Sequence, residues 1–150
     1  MTPKIYRRKK VNFLKLYPAI RAVMCNKYGL SRSDFDLLLY LDDLTYFTRT
    51  HFKQGLWWKD IEYHKLTRMV KQGLIEQFYK GVGTGDHSKY KLTIKSRRMV
   101  TMTYKYAYLE EYIPETGLDM EVKAHVKLLK FIVAHNKQLK DERRKRNVNE

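Results

Sequence analysis

The sequence predicts a mainly α-helical chain that carries one small β-hairpin. Three observations lead there. Apolar residues recur at three- and four-residue spacing along most of the 150 residues, which is the period of an amphipathic helix. Two runs rich in β-formers, IEQFYK and KYKLTI, flank the turn-rich stretch GVGTGDHS, the pattern of two strands joined by a tight loop. Two short helical segments stand in tandem directly before the first of these runs, the order of a helix-turn-helix. With 43% hydrophobic residues, the chain can bury the core of one ordinary domain.

Residues 1–11 read as a basic arm, in which Lys4, Arg7, Arg8, Lys9 and Lys10 occur without an acid. From Asn12 the pattern turns helical, with Phe13, Leu16, Ile20 and Val23 on one stripe and Tyr17, Met24 and Tyr28 beside it; Gly29 supplies the stop. Ser31, with Asp34 three residues on, forms a capping box for a second helix that reaches about Asp43 and buries Phe35, Leu38, Leu39 and Leu41. In FTRTHF, Thr48 caps a short helix containing Phe52 and Leu56, and the next helix is expected from Trp58 to Gln72, ending at Gly73. At about 100° per residue, Tyr63, Leu66, Met69 and Val70 fall on its core side, and Trp57, Ile61, His64 and Arg68 on the other. This second set mixes aromatic, aliphatic and cationic groups suited to base edges and phosphates. Its plainer reading is a solvated face with one stray isoleucine.

Gly81, Gly83 and Gly85 pose a choice between a phosphate cradle and a hairpin tip. A phosphate-cradling loop needs a helix directly after it, because the helix N-terminus supplies the aimed amides. Here a second strand follows, and no Gly-Lys-Ser/Thr is present. The glycines, with Asp86 and Ser88, therefore read as a hairpin tip. Beyond it, Met99, Met102, Tyr106, Leu109 and Ile113 alternate by three and four, with Val100, Tyr104, Ala107 and Tyr108 as a second stripe, up to the break at Pro114 and Gly117. Asp119 caps a last helix with the stripe Val122, Val126, Leu129 and Val133, and residues 141–150 form a basic tail. Apolar helices outside a helix-turn-helix predict a self-associating region.

Charge narrows the partner. The 31 Lys and Arg against 16 Asp and Glu leave +15, and the sequence pI is about 9.8, an excess that favours nucleic acid or an acidic surface. Cys25 is the one cysteine, which excludes an intramolecular disulfide and a cysteine-rich zinc site and fits a reducing compartment. Late in the first helix beside Met24, it reads as a buried small residue in preference to a redox sensor. No run of about 18 apolar residues occurs, so no membrane-spanning helix is expected, and the interrupted N-terminal apolar residues do not make a signal peptide. The expectation is a soluble, cytoplasmic, nucleoid-associated protein, with a virion-associated one as the alternative setting. No catalytic, cofactor or metal site is expected. Asp42 and Asp43 would diverge by about 100° on a helix, and the five histidines lack His-x-x-x-His spacing.

The order of helix, helix, short helix, longer helix, hairpin and two long helices resembles the winged helix of the multiple antibiotic resistance regulator (MarR) family. SRSDFDLLLYL resembles the family's second helix, FTRTHF its threonine-capped third, HKLTRMVKQGLIEQ its recognition helix, and KLTIKSRRMV the stretch that leaves the wing and starts a dimer helix. The likeness extends from about Asn12 to Lys140. It implies a winged helix-turn-helix with N- and C-terminal dimerisation helices, a body over 12–140 and a DNA-binding core at about 31–95. It also implies a dimeric transcription regulator, of a kind often released by small aromatic ligands or oxidation. Ser96 departs from the family by standing where glycine is common, and the wing offers Asp86, His87, Ser88 and Lys89 in place of an Asp-x-Arg pair.

The expected function is therefore binding of double-stranded DNA by a homodimer. Trp57, Lys59, Asp60, Ile61, His64, Lys65 and Arg68 are the residues expected within reach of the major groove. Arg68 or Lys65 would bond guanine and Ile61 would touch a thymine methyl, unless Lys59, Lys65 and Arg68 meet only phosphate. Lys80, His87, Ser88, Lys89 and Lys91 form the second contact zone, and Arg7, Arg8, Lys9 and Lys10 add phosphate attraction. Tyr104, Tyr106, Tyr108 and Tyr112 either line a pocket for a small aromatic effector or pack the core and dimer. The alternative function is a non-enzymatic structural or assembly nucleoprotein, of the kind viruses use, that reuses a winged helix without sequence selection. A protein-only interaction module is a further alternative.

Overall fold

The computed structural model describes residues 13–50, 64–85, 87–118 and 122–149. Its elements are α1 (Phe13–Tyr28), α2 (Arg32–Leu41), α3 (Lys65–Lys71), β1 (Ile75–Tyr79), β2 (Lys89–Leu92), α4 (Ile94–Ala107) and α5 (Lys123–Val148). The chain is thus mainly helical with one two-stranded antiparallel hairpin. Arg49 and Thr50 are helical directly after Thr48. The rest of that expected short helix, and Trp57 to Tyr63, lie outside the described residues. The expected helix from Trp58 is corrected at its described end, where His64 sits in a turn and α3 begins at Lys65. Two compact units form, one of Ser31–Met102, the other of α1 with the chain from Thr103 onward.

In the unit Ser31–Met102, the Ser31 hydroxyl accepts from the Asp34 backbone N–H at 3.2 Å and caps α2. Phe35, Leu37, Leu38 and Leu41 are fully buried, each worth about 1.5–3 kcal/mol of apolar burial. Leu37, absent from the expected stripe, lies in this core, whereas Leu39 is half-buried. α3 buries Leu66 and Met69 and stops at Gly73, whose φ of +73° is a left-handed helix end. The Leu74 N–H closes that turn on the Met69 carbonyl at 3.0 Å, carrying Leu74 and Ile75 into the core.

β1 and β2 pair with Ile75 opposite Leu92 and Gln77 opposite Tyr90; a register shift between Gln77 and Tyr79 brings Tyr79 opposite Lys89. The tip turns through Gly83 and Gly85 at φ of +81° and +89°, and the Gly81 N–H donates to the Ser88 hydroxyl at 3.1 Å. Phe47 adds a bridge, exchanging two 2.8 Å backbone hydrogen bonds with Tyr90. At the start of α4, the Thr93 hydroxyl donates to the Gly73 carbonyl at 2.8 Å and accepts from the Ser96 N–H at 3.3 Å. Ser96 is fully buried, and its hydroxyl donates to the Leu74 carbonyl at 2.6 Å. A serine here satisfies a buried carbonyl that glycine would leave without this donor.

In the other unit, α1 ends at Gly29, φ +64°, with the Leu30 N–H returning to the Cys25 carbonyl at 3.1 Å. Ala19, Ile20, Val23 and Met24 are its buried residues, and Cys25 is half-buried. α4 does not continue to Ile113. It stops at Ala107, with Leu109 left-handed at φ +58° and the Glu110 N–H on the Lys105 carbonyl at 2.9 Å. A non-glycine residue there costs roughly 1–2 kcal/mol, offset by tethers from α5. Asn136 accepts from the Ile113 N–H at 2.9 Å and donates to its carbonyl at 2.8 Å, and Arg143 donates to the Glu110 carbonyl at 2.9 Å.

α5 also differs from expectation. It begins at Lys123 behind Val122, which makes no side-chain cap, while Asp119 lies outside the described residues. It runs on to Val148 through most of the expected basic tail, since no glycine or proline interrupts it. Its buried face is Ile132, His135 and Leu139. Val122, Val126 and Val133 of the expected stripe are 42%, 43% and 45% exposed. Tyr106 is buried, Tyr104 stacks between Phe13 and Tyr108 with centroids 6.1 Å away on each side, and Tyr112 lies under the Arg143 guanidinium at 4.7 Å.

Burial holds the His135 imidazole below its ordinary value, against an opposing hydrogen bond with the Tyr106 backbone, and Nε2 has no partner among the described residues. The unfolded chain therefore takes up a proton first as pH falls. Stability is complete above the unfolded histidine value of about 6.5 and declines as pH drops through the lower folded value. From about pH 7 to about pH 5, the Tm of the wild type is expected to fall more steeply than that of His135→Leu. Parallel declines in thermal scans would contradict this.

Candidate nucleic-acid interface

Asp34 occupies the third position of α2, where its backbone N–H serves the Ser31 cap. Its side chain is only 6% exposed, and a buried charge of this kind requires counter-charge and hydrogen bonds. Lys65 Nζ lies 3.2 Å from Asp34 Oδ1 and donates to Ser33 Oγ at 3.2 Å. Arg68 Nη2 donates to both Asp34 oxygens, at 3.0 and 3.3 Å. One carboxylate thus locks the start of α2 to α3.

This cluster corrects the expected DNA-facing role of Lys65, which is buried at 5% exposure and turned to Asp34. The helical projection could not foresee it, because the cause is a carboxylate 31 residues earlier. Arg68 keeps 43% of its side chain exposed, but its Nη2 is engaged by Asp34. That removes half of the fork a bidentate guanine contact uses. His64 is exposed in the turn before α3. Trp57, Lys59, Asp60 and Ile61, and the arm residues Arg7, Arg8, Lys9 and Lys10, lie outside the described residues.

The hairpin presents its cations differently. Lys80 and His87 are exposed beside the tip, and Ser88 is half-buried, its hydroxyl holding the loop shut on the Gly81 N–H. Alternation sends Tyr90 and Leu92 inward, so Lys89 and Lys91 stand on the outer face. The Lys89 ammonium lies 5.3 Å from the ring centroids of both Tyr46 and Tyr79, and that of Lys91 lies 5.4 Å from Phe78. Glu76 is the acid on the two strands and meets Lys91 at 3.3 Å.

Three aromatic residues of this face escaped the sequence reading. Tyr46, Phe78 and Tyr79 are 49%, 48% and 39% exposed, and Tyr46 meets Phe78 edge-on with centroids 6.2 Å apart. Two successive strand residues ordinarily point to opposite faces. The register shift between Gln77 and Tyr79 relaxes that alternation, so Phe78 and Tyr79 both meet outer-face lysines. Tyr46 joins them because its neighbour Phe47 is bridged to Tyr90.

Among the described residues, no group of three or more His, Cys, Asp or Glu is placed to hold a metal ion, and no helix is long and apolar enough to cross a membrane. Comparison of the chain with family models, with curated proteins and with solved structures gives no match.

Proposed function

We propose that the protein binds double-stranded DNA as a winged helix-turn-helix and regulates transcription as a homodimer. The observation that carries this reading is the basic outer side of the hairpin. Lys89 and Lys91 stand on a short ladder tied to the end of α3 by Thr93 and Ser96, and Lys80 is exposed directly after its first strand. A projecting basic hairpin beside a helix suits backbone phosphates flanking a groove, and the net charge of +15 strengthens the attraction. For the dimer, the half-exposed Val126 and Val133 of α5 offer an apolar stripe to a second copy.

One observation favours a second reading, a structural or assembly nucleoprotein that binds without sequence choice. Asp34 draws Lys65 inward and engages Arg68, leaving phosphate contacts to outweigh base contacts. Selection of bound duplexes from a random pool at physiological salt separates the two readings. Enrichment of an inverted repeat is expected for the dimeric regulator. Recovery of an unenriched pool would reject regulation by base readout and leave the nucleoprotein.

A further inference from the structure

We infer that the outer face of the hairpin is a stacking platform for unpaired bases of single-stranded nucleic acid. This goes beyond duplex binding and does not depend on it. In a duplex the base faces are covered by neighbouring pairs, so an aromatic side chain lying on a sheet reaches them only where strands are apart. Tyr46, Phe78 and Tyr79 expose 49%, 48% and 39% of their surfaces in one contiguous patch. The Lys89 ammonium lies over the Tyr46 and Tyr79 rings at 5.3 Å and that of Lys91 over the Phe78 ring at 5.4 Å, so bases would stack on the remaining exposed ring surface. Exposed rings for bases with ammonium groups in contact with them for phosphates is the combination by which single strands are held without sequence preference.

Charge complementarity favours this occupant over an acidic polypeptide. Lysines alone would suffice for carboxylates, whereas three half-exposed rings gain little from an acidic chain and gain stacking from bases. Glu76 is held by Lys91 at 3.3 Å, so the one acid on the strands is already matched. The register shift supplies the second, independent observation, since it brings Phe78 and Tyr79 to the same lysine-bearing face.

The test compares fluorescently labelled oligo-dT with an abasic oligomer of equal length, which keeps the phosphates and lacks the bases. Binding to the full chain is followed by anisotropy. Wild type is expected to prefer oligo-dT, and Tyr46→Leu and Phe78→Leu, each with unchanged Tm, are each expected to weaken oligo-dT by on the order of 10-fold. The same variants should bind the abasic oligomer within about twofold of wild type, because every lysine is kept. Equal affinity of wild type for the two oligomers, equal capture of poly-glutamate, or a preference that survives both substitutions would overturn the platform. A duplex of the same sequence is the separate arm. Binding of duplex without oligo-dT rejects the platform alone, and binding of oligo-dT without duplex supports it while rejecting the duplex reading.

Discussion

Replacing Asp34 with alanine is expected to cost about 3–5 kcal/mol, the range for breaking a buried ion pair by removing one partner. A typical domain has only about 5–15 kcal/mol in total, so the unit Ser31–Met102 would be left at the edge of folding. The cost arises chiefly at Lys65, whose side chain is 7% exposed and would keep only the Ser33 hydroxyl among its described contacts. Arg68→Ala should be far milder, at about 1 kcal/mol or less, because the side chain is 43% exposed and solvent screens its share of the pair. Replacing both buried partners, Asp34→Leu with Lys65→Met, should recover most of the loss, since well-packed apolar residues can substitute for a buried pair. Urea unfolding of the four chains gives the ordering. An Asp34→Ala midpoint close to wild type would show that the cluster does not hold α2 to α3.

The same cluster marks where sequence reasoning stopped. Periodicity and caps were enough to place α1, α2 and the hairpin, because Ser31, Gly29 and Gly73 act on the backbone within a few residues of themselves. The Lys65 side chain obeys a carboxylate remote in sequence, and a helical wheel has no access to that partner. The end of α4 was hidden for a related reason. Leu109 adopts a left-handed conformation that no local signal announces, sustained by Asn136 and Arg143 from α5.

The candidate interface divides along the same line. Lys89 and Lys91 were legible because strand alternation around Tyr90 and Leu92 is a local pattern, and Lys80 because it adjoins the glycine-marked tip. Tyr46, Phe78 and Tyr79 were not, since their common face depends on a register shift and on the Phe47 bridge. Both features exist only after pairing. The buried face of α5 was misassigned because the helix carries two apolar stripes, and only packing against α1 decides which one is covered.

Neutralising the hairpin cations is expected to have the largest effect on binding. In the variant Lys80→Gln, Lys89→Gln and Lys91→Gln, duplex affinity should fall on the order of 100-fold at about 0.1 M salt, if each lysine neutralises one phosphate. The outer position of these residues makes them replaceable at little cost to the fold, because Lys80 is exposed and the ammonium groups of Lys89 and Lys91 lie over rings on the outer face of the hairpin, outside the buried core. A single neutralisation should act in proportion, which distinguishes phosphate contact from collapse of the hairpin.

The most direct measurement of the central claim is a salt titration of duplex binding by the wild-type chain and this triple variant. A steep linear fall of log K with log salt is expected for wild type, and a slope shallower by about 2 to 3 in the variant. Absence of duplex binding at low salt, or an identical slope for the two chains, would contradict it.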